Sequence, residues 1–230
     1  MSQIELANDC FRFYEALNSL AKDAKCIRTL ADCRGKMGWP KRGVYIFLGT
    51  EIEIHGKSFS RVTRIGTHAV SVGSKTTLWN RLAQHRGNIS DGAGNHRGSI
   101  FRLLVGQALI NRDSWNFDSW GIGNNAPPDV RECEKPLEKL VSQEIGKMPF
   151  LFVEIDDEPS PTSLRSRIER NSIALISRYH KLVGWGDEEW LGKYSNRERV
   201  RNSGLWNNNY VGDEYDSSFL EDFETMIGKM

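Results

Sequence analysis

The chain has 230 residues, with 31 Lys and Arg against 30 Asp and Glu, and 39% hydrophobic residues. That composition fits a globular chain with one sizeable core. It offers no apolar run near the roughly 20 residues that a membrane span needs.

The opening MSQIELANDC lacks the basic-then-apolar order of a signal peptide, so a cytoplasmic location is expected. Cys10, Cys26, Cys33 and Cys133 form no CxxC pair, which argues against a zinc ribbon and for reduced thiols. Charge is unevenly spread. Between Ser60 and Arg102 stand Arg61, Arg64, Lys75, Arg81, Arg86, Arg97 and Arg102 against one acid, Asp91. Asp213 to Glu224 carries six acids and no Lys or Arg. A basic segment is either a solvated face or a contact for an anionic partner.

In chain order, Leu6, Cys10, Phe13, Leu17 and Leu20 repeat at three and four, predicting a helix over Ile4 to Lys22. Gly35 to Pro40 breaks the chain. Gly43 to Gly49 alternates as a strand, with Val44, Ile46 and Leu48 opposite Tyr45 and Phe47. His55-Gly56-Lys57 is a turn, and Ser60 to Thr67 returns as the second strand of a hairpin. Thr76 to Asn88 is an amphipathic helix. Asn88 to Gly98 is a glycine-rich loop, and Ser99 to Ile110 a second apolar helix. An inserted loop occupies about 111–130. A helix follows over Glu134 to Lys147, with Pro136 near its first turn. Met148 to Ile155 is a third strand. Thr162 or Ser163 caps a helix to about His180. The expected architecture is α/β: a small, mainly antiparallel three-stranded sheet flanked by helices. A helical N-terminal extension (1–40) precedes the main domain (41–211), and an acidic tail (212–230) follows it.

Three positions could carry chemistry. Arg81 and His85, four residues apart, share one side of their helix beside Leu78 and Leu82. They are either ordinary edge residues or a guanidinium fork and an imidazole held at a cleft. Glu169 shares a helix face with Ile173 and Ile176. A carboxylate there must be paired, with Arg165 four residues earlier, or bind a hard cation. Tyr45 faces away from Val44 and Ile46. It either packs and hydrogen-bonds through its hydroxyl, or acts on water beside a metal.

In this order the set resembles the GIY-YIG nuclease family. Gly43-Val44-Tyr45 matches the first signature triplet, and Arg64-Ile65-Gly66 falls where the second ends its strand. Arg81 with His85 is similar to the GIY-YIG restriction endonucleases, and Glu169 matches the family's metal-binding glutamate. The family's C-terminal asparagine is placed at Asn207, with Asn196 as the alternative. The resemblance implies a cytoplasmic endonuclease that hydrolyses DNA phosphodiester bonds with Mg²⁺ or Mn²⁺, of restriction or phage-defence type. Glu169 would hold the metal, which would stabilise the leaving oxygen. Arg81 would grip the scissile phosphate, Tyr45 would orient or deprotonate the water, and His85 would assist, for example by accepting the tyrosine proton.

The second triplet has arginine for tyrosine. A competing register, Ser71-Val72-Gly73, lies in a stretch that reads as a loop. Arg64 is then expected as another phosphate contact, Lys75 as a helper, and His68 as either a site residue or a turn residue. His96 and Arg97, in the glycine-rich loop, are either substrate contacts or surface. Trp115, Trp120 and the nearby asparagines either read bases or pack as a lid. Two other classes compete with the enzyme: a nucleic-acid-binding module that has lost cleavage, and an interaction protein in which Glu169 pairs with Arg165. DNA is the expected partner, with RNA open. A palindromic target needs two cuts and favours a homodimer.

Overall fold

The computed structural model describes residues 2–22, 27–185 and 187–230; Cys26 lies outside them. Cys10 and Cys33 are buried free thiols, and Cys133 is an exposed one.

The alternating run after Pro40 forms β2 (Gly43–Ile54), which returns as β3 (Lys57–Gly66), with β1 (Arg28–Thr29) before them. His55 (φ 51°) and Gly56 (φ 72°) make the turn. Positive φ at both central residues gives the two-residue hairpin whose twist matches its strands. Tyr45 pairs with Gly66 and Phe47 with Arg64, so these side chains share one face. β4 (Pro149–Glu154) lies antiparallel on the other side of β2, with Tyr45 opposite Phe152. The sheet order is β1-β4-β2-β3. There are therefore four strands where three were expected. Arg28 and Thr29 are too short to show a period and are recruited by pairing with Phe150 and Pro149.

One face of the sheet, with Val44, Ile46, Leu151 and Val153, packs on α1 (Gln3–Ala21), α5 (Leu164–Val183) and the C-terminal helix Phe219–Ile227. The other, with Tyr45, Phe47, Phe150 and Phe152, packs on α2 (Leu78–Arg86), α3 (Ile100–Asp113) and α4 (Pro128–Lys147). The acidic C-terminal stretch is thus a packed helix. Phe219, Leu220 and Phe223 are fully buried, and Phe223 stacks on Phe13 at 4.7 Å. Its acids point outward, Glu224 to Arg12 at 2.9 Å.

α4 begins earlier than expected, because Pro128 is pre-set for a first helical position while Pro136 is tolerated on an exposed side. The segment between α3 and α4 is pinned by Trp120. Its indole N–H donates to Leu103 O at 3.1 Å, and its ring lies where a side chain on Gly106 would be. Of the two readings of that insertion, packing describes Trp120. Among the described residues no helix is long and apolar enough to cross a membrane.

Candidate active site

Tyr45 is the third residue of β2 and is fully buried. Its ring passes directly over Gly66, where a Cβ would collide with the phenol. Gly66 is therefore required by close approach. We expect Gly66→Ala to displace the phenol and to cost about 1–3 kcal/mol by overpacking. Denaturant unfolding measures the cost, and loss of the Tyr45–His85 hydrogen bond by NMR reports the displacement.

That hydrogen bond joins Tyr45 Oη to His85 Nε2 at 2.8 Å. α2 sets the ring in place: Thr77 and Asn80 form a capping box at its start, and Leu78 and Leu82 anchor its buried stripe. His85 Nδ1 lies 2.7 Å from Ser99 Oγ, and Ser99 also caps α3 by accepting the Arg102 N–H at 3.3 Å. Burial, reinforced by the charges of Arg81, Arg64 and Arg102, keeps the His85 pKa well below the usual histidine value. His85 is neutral.

Arg81 is half-buried and donates to Gln84 Oε1 at 3.1 Å and to Gly98 O at 3.3 Å. It has no carboxylate partner among the described residues. Its charge reaches His85, Glu169, Arg64 and His68.

Glu169 enters from α5, half-buried. Its Oε1 accepts the Thr67 N–H at 3.0 Å, one residue beyond the second triplet. Burial raises its pKa, against the pull of that N–H and of Arg64, Arg81 and Arg165. Pairing with Arg165 was the competing expectation, but Arg165 turns away. It bonds Asp157 and the carbonyls of His68 and Ala69. Glu169 has no ion pair among the described residues. A half-buried carboxylate left in this state fits a hard divalent cation that takes one protein carboxylate and keeps several waters. Among the described residues no group of three or more His, Cys, Asp or Glu forms a fuller cage.

Arg64 is buried, so it is not the expected phosphate contact. Its guanidinium bonds Trp206 O and sits 4.7 Å over the Phe101 ring, and its charge is felt by the Tyr45 oxygen. Burial pulls its pKa below the usual arginine value. Asn207 is buried and bridges Ile65, accepting from its N–H at 3.1 Å and donating to its carbonyl at 2.8 Å. With Trp206 N–H on Thr63 O at 2.7 Å, it covers the free edge of β3. Asn196 is exposed on a loop. His68 is buried and follows Thr67. Its Nδ1–H donates to Thr76 O at 3.0 Å, its Nε2 has no partner among the described residues, and burial and Arg165 pull its pKa down to about 4. It serves the turn into α2 while lying near Arg81.

The remaining basic residues of the middle segment are mostly internal. Arg97 pairs with Glu134 at 2.5 Å, and Arg102 with Glu138. His96 is buried, bonded to Glu138 at 2.9 Å and stacked on Trp120 at 3.8 Å. His96 and Arg97 are therefore structural, contrary to the expectation that they contact substrate. Lys75 is exposed on the loop before α2 and has no ion pair with a described residue. A cleft of about 670 Å³ bounded by Leu6, Arg178, Lys181 and Arg199 shares no residue with the cluster.

Tyr45 of β2, Arg81 and His85 of α2 and Glu169 of α5 thus come together from three separate stretches of chain. Ser99 and Thr67, the groups that hold two of them, escaped the sequence reading. Only the position of Ser99 before an apolar run, a cap signal, marked it at all. The family model described as GIY-YIG domain matches residues 4–230, including both the N-terminal helix and the acidic end. No curated protein and no solved structure matches the chain.

Proposed function

The chain belongs to the GIY-YIG domain family, and on that premise we propose that it is a divalent-metal-dependent endonuclease cutting DNA phosphodiester bonds, of restriction or phage-defence type. The observation that carries this reading is that the phenol–imidazole pair Tyr45–His85 and the Glu169 carboxylate share the field of Arg81, with neither Arg81 nor Glu169 in an ion pair among the described residues. Glu169 would hold Mg²⁺ or Mn²⁺. Such an ion, when bound, neutralises charge on the phosphate and its leaving oxygen. Arg81 binds the scissile phosphate and offsets the charge that builds on it in the transition state. Tyr45 orients the attacking water and takes its proton. His85 holds the Tyr45 oxygen in place. Lys75, exposed on the loop that leads into α2, adds a phosphate contact. On a palindromic duplex two copies of the chain would act, one per strand.

The test is incubation of the purified protein with plasmid DNA, and with RNA of matched length, in Mg²⁺, Mn²⁺ or EDTA. We expect cleavage of DNA that requires metal. Tyr45→Phe and Arg81→Ala should each lower it by about 100-fold or more with the fold intact. Salt-sensitive binding without any cleavage would instead select the binding module. Wild-type cutting by both folded variants would remove this assignment.

A further inference from the structure

Arg64 raises a question of charge balance. It is a guanidinium with 4% of its surface exposed and no carboxylate partner among the described residues. A buried cation without an anion is costly. Two groups able to be anions act on it, Glu169, with which it makes no ion pair, and more strongly the Tyr45 oxygen.

Ser99 settles the other side. Its oxygen already accepts the Arg102 N–H. Its own O–H has no acceptor among the described residues other than His85 Nδ1, at 2.7 Å. A buried hydroxyl uses its donor when it can. The O–H therefore points at Nδ1, and the ring hydrogen sits on Nε2, which donates to Tyr45 Oη.

We infer that Ser99 and Arg64 are positioning residues, Ser99 keeping the His85 Nε2–H donor on the Tyr45 oxygen and Arg64 keeping a positive charge near it, so that it accepts the proton of the attacking water as an anion. This rests on the endonuclease reading and reverses one expectation within it: His85 is a donor to Tyr45, not the acceptor of its proton. The neutral state of His85 agrees, since a fully buried ring among three arginines cannot hold a second proton. The arginine in the second triplet is then a replacement with a task. In the step itself, the water oxygen bonds to phosphorus and its proton passes to the Tyr45 oxygen. The bond to the leaving ester oxygen breaks, its electron pair stays on that oxygen, and solvent protonates it. Tyr45 returns its proton to solvent between turnovers. The charged and titratable groups around the pair are Arg64 of β3, Arg81 and His85 of α2, Arg102 of α3 and Glu169 of α5.

¹⁵N NMR of the histidine-labelled protein reads the tautomer directly, with no need of cleavage. We expect His85 protonated at Nε2 and bare at Nδ1. Ser99→Ala should release that preference and lower kcat by about 10-fold with KM unchanged, and Ser99→Thr should restore both. Arg64→Gln should move the acid limb of the pH–kcat profile to higher pH, and Arg64→Lys should move it less. Wild-type protein with the hydrogen on Nδ1 overturns the inference, as does a folded Arg64→Gln with an unchanged profile. Where Arg64→Gln fails to fold, an Arg64→Lys profile together with the His85 tautomer decides. The expected tautomer in a protein that cuts nothing supports the role of Ser99 and counts against the endonuclease reading instead.

Discussion

Glu169→Gln is expected to abolish metal-dependent cleavage, by about 1,000-fold or more, while leaving the protein at least as stable as the wild type. The first half follows from the donor set. A single carboxylate would hold the cation, and an amide keeps the shape but loses the charge that binds a hard ion. The second half follows from the absence of an ion pair. Removing Glu169 strands no arginine, because Arg165 is committed to Asp157 and to backbone carbonyls. What disappears is a carboxylate whose pKa burial has raised. A raised carboxyl favours the folded state only while protonated. As pH climbs past its ordinary value the wild type gives up that stability, whereas Glu169→Gln does not. Denaturant unfolding of both proteins across pH 4–8 should show a gap that widens with pH in favour of the variant, and calorimetry should show lost Mn²⁺ binding. A strongly destabilised Glu169→Gln, or one that still cuts with metal, would defeat the assignment.

How far the sequence discloses this arrangement depends on the range of each interaction. The β2–β3 hairpin, α2 and α5 were legible because alternation and three-four spacing are local. Tyr45, Arg81, His85 and Glu169 were picked out because each is a polar group set against an apolar face. The position of Asn207, 142 residues from the Ile65 it bridges, was reached only through family resemblance. The basic middle segment misled. A run of cations without nearby acids reads as a charged face, but its acids are supplied from afar, by Glu134 and Glu138 of α4 and by Asp187 for the buried Arg61. Such pairs leave no mark in local composition. The acidic end misled for the opposite reason: its charges obscured Phe219, Leu220 and Phe223, which share one face of a short helix and complete the core.

Those distant pairs set the second large effect. Glu138→Ala is expected to cost about 3–5 kcal/mol, or about 10 °C in Tm for a chain of this size. Glu138 accepts from Arg102 Nε at 2.9 Å, from His96 N–H at 2.6 Å and from His96 Nδ1 at 2.9 Å. Truncating it leaves Arg102, wholly buried, with a charge and no counter-ion. Burial pushes the Glu138 pKa up, but the bonds from His96 and the charge of Arg102 outweigh it and hold the carboxyl below its ordinary value. For a lowered carboxyl the stability is present above the ordinary pKa and is lost as pH falls toward the folded one. Wild-type protein should therefore lose this contribution in acid, while Glu138→Ala, already lacking it, should show a flatter stability profile there. Arg102 also donates to His85 O at 2.9 Å and its N–H is capped by Ser99. Loosening it should reach Tyr45 through His85, so any folded Glu138→Ala should cut more slowly as well. The double variant Glu138→Leu with Arg102→Met separates the two effects. With both charges gone, stability should return toward the wild type. Cleavage should stay low, because the bond that fixes His85 O is still missing. Recovery of full activity in that double variant would mean that α4 supports the fold alone and does not reach the site.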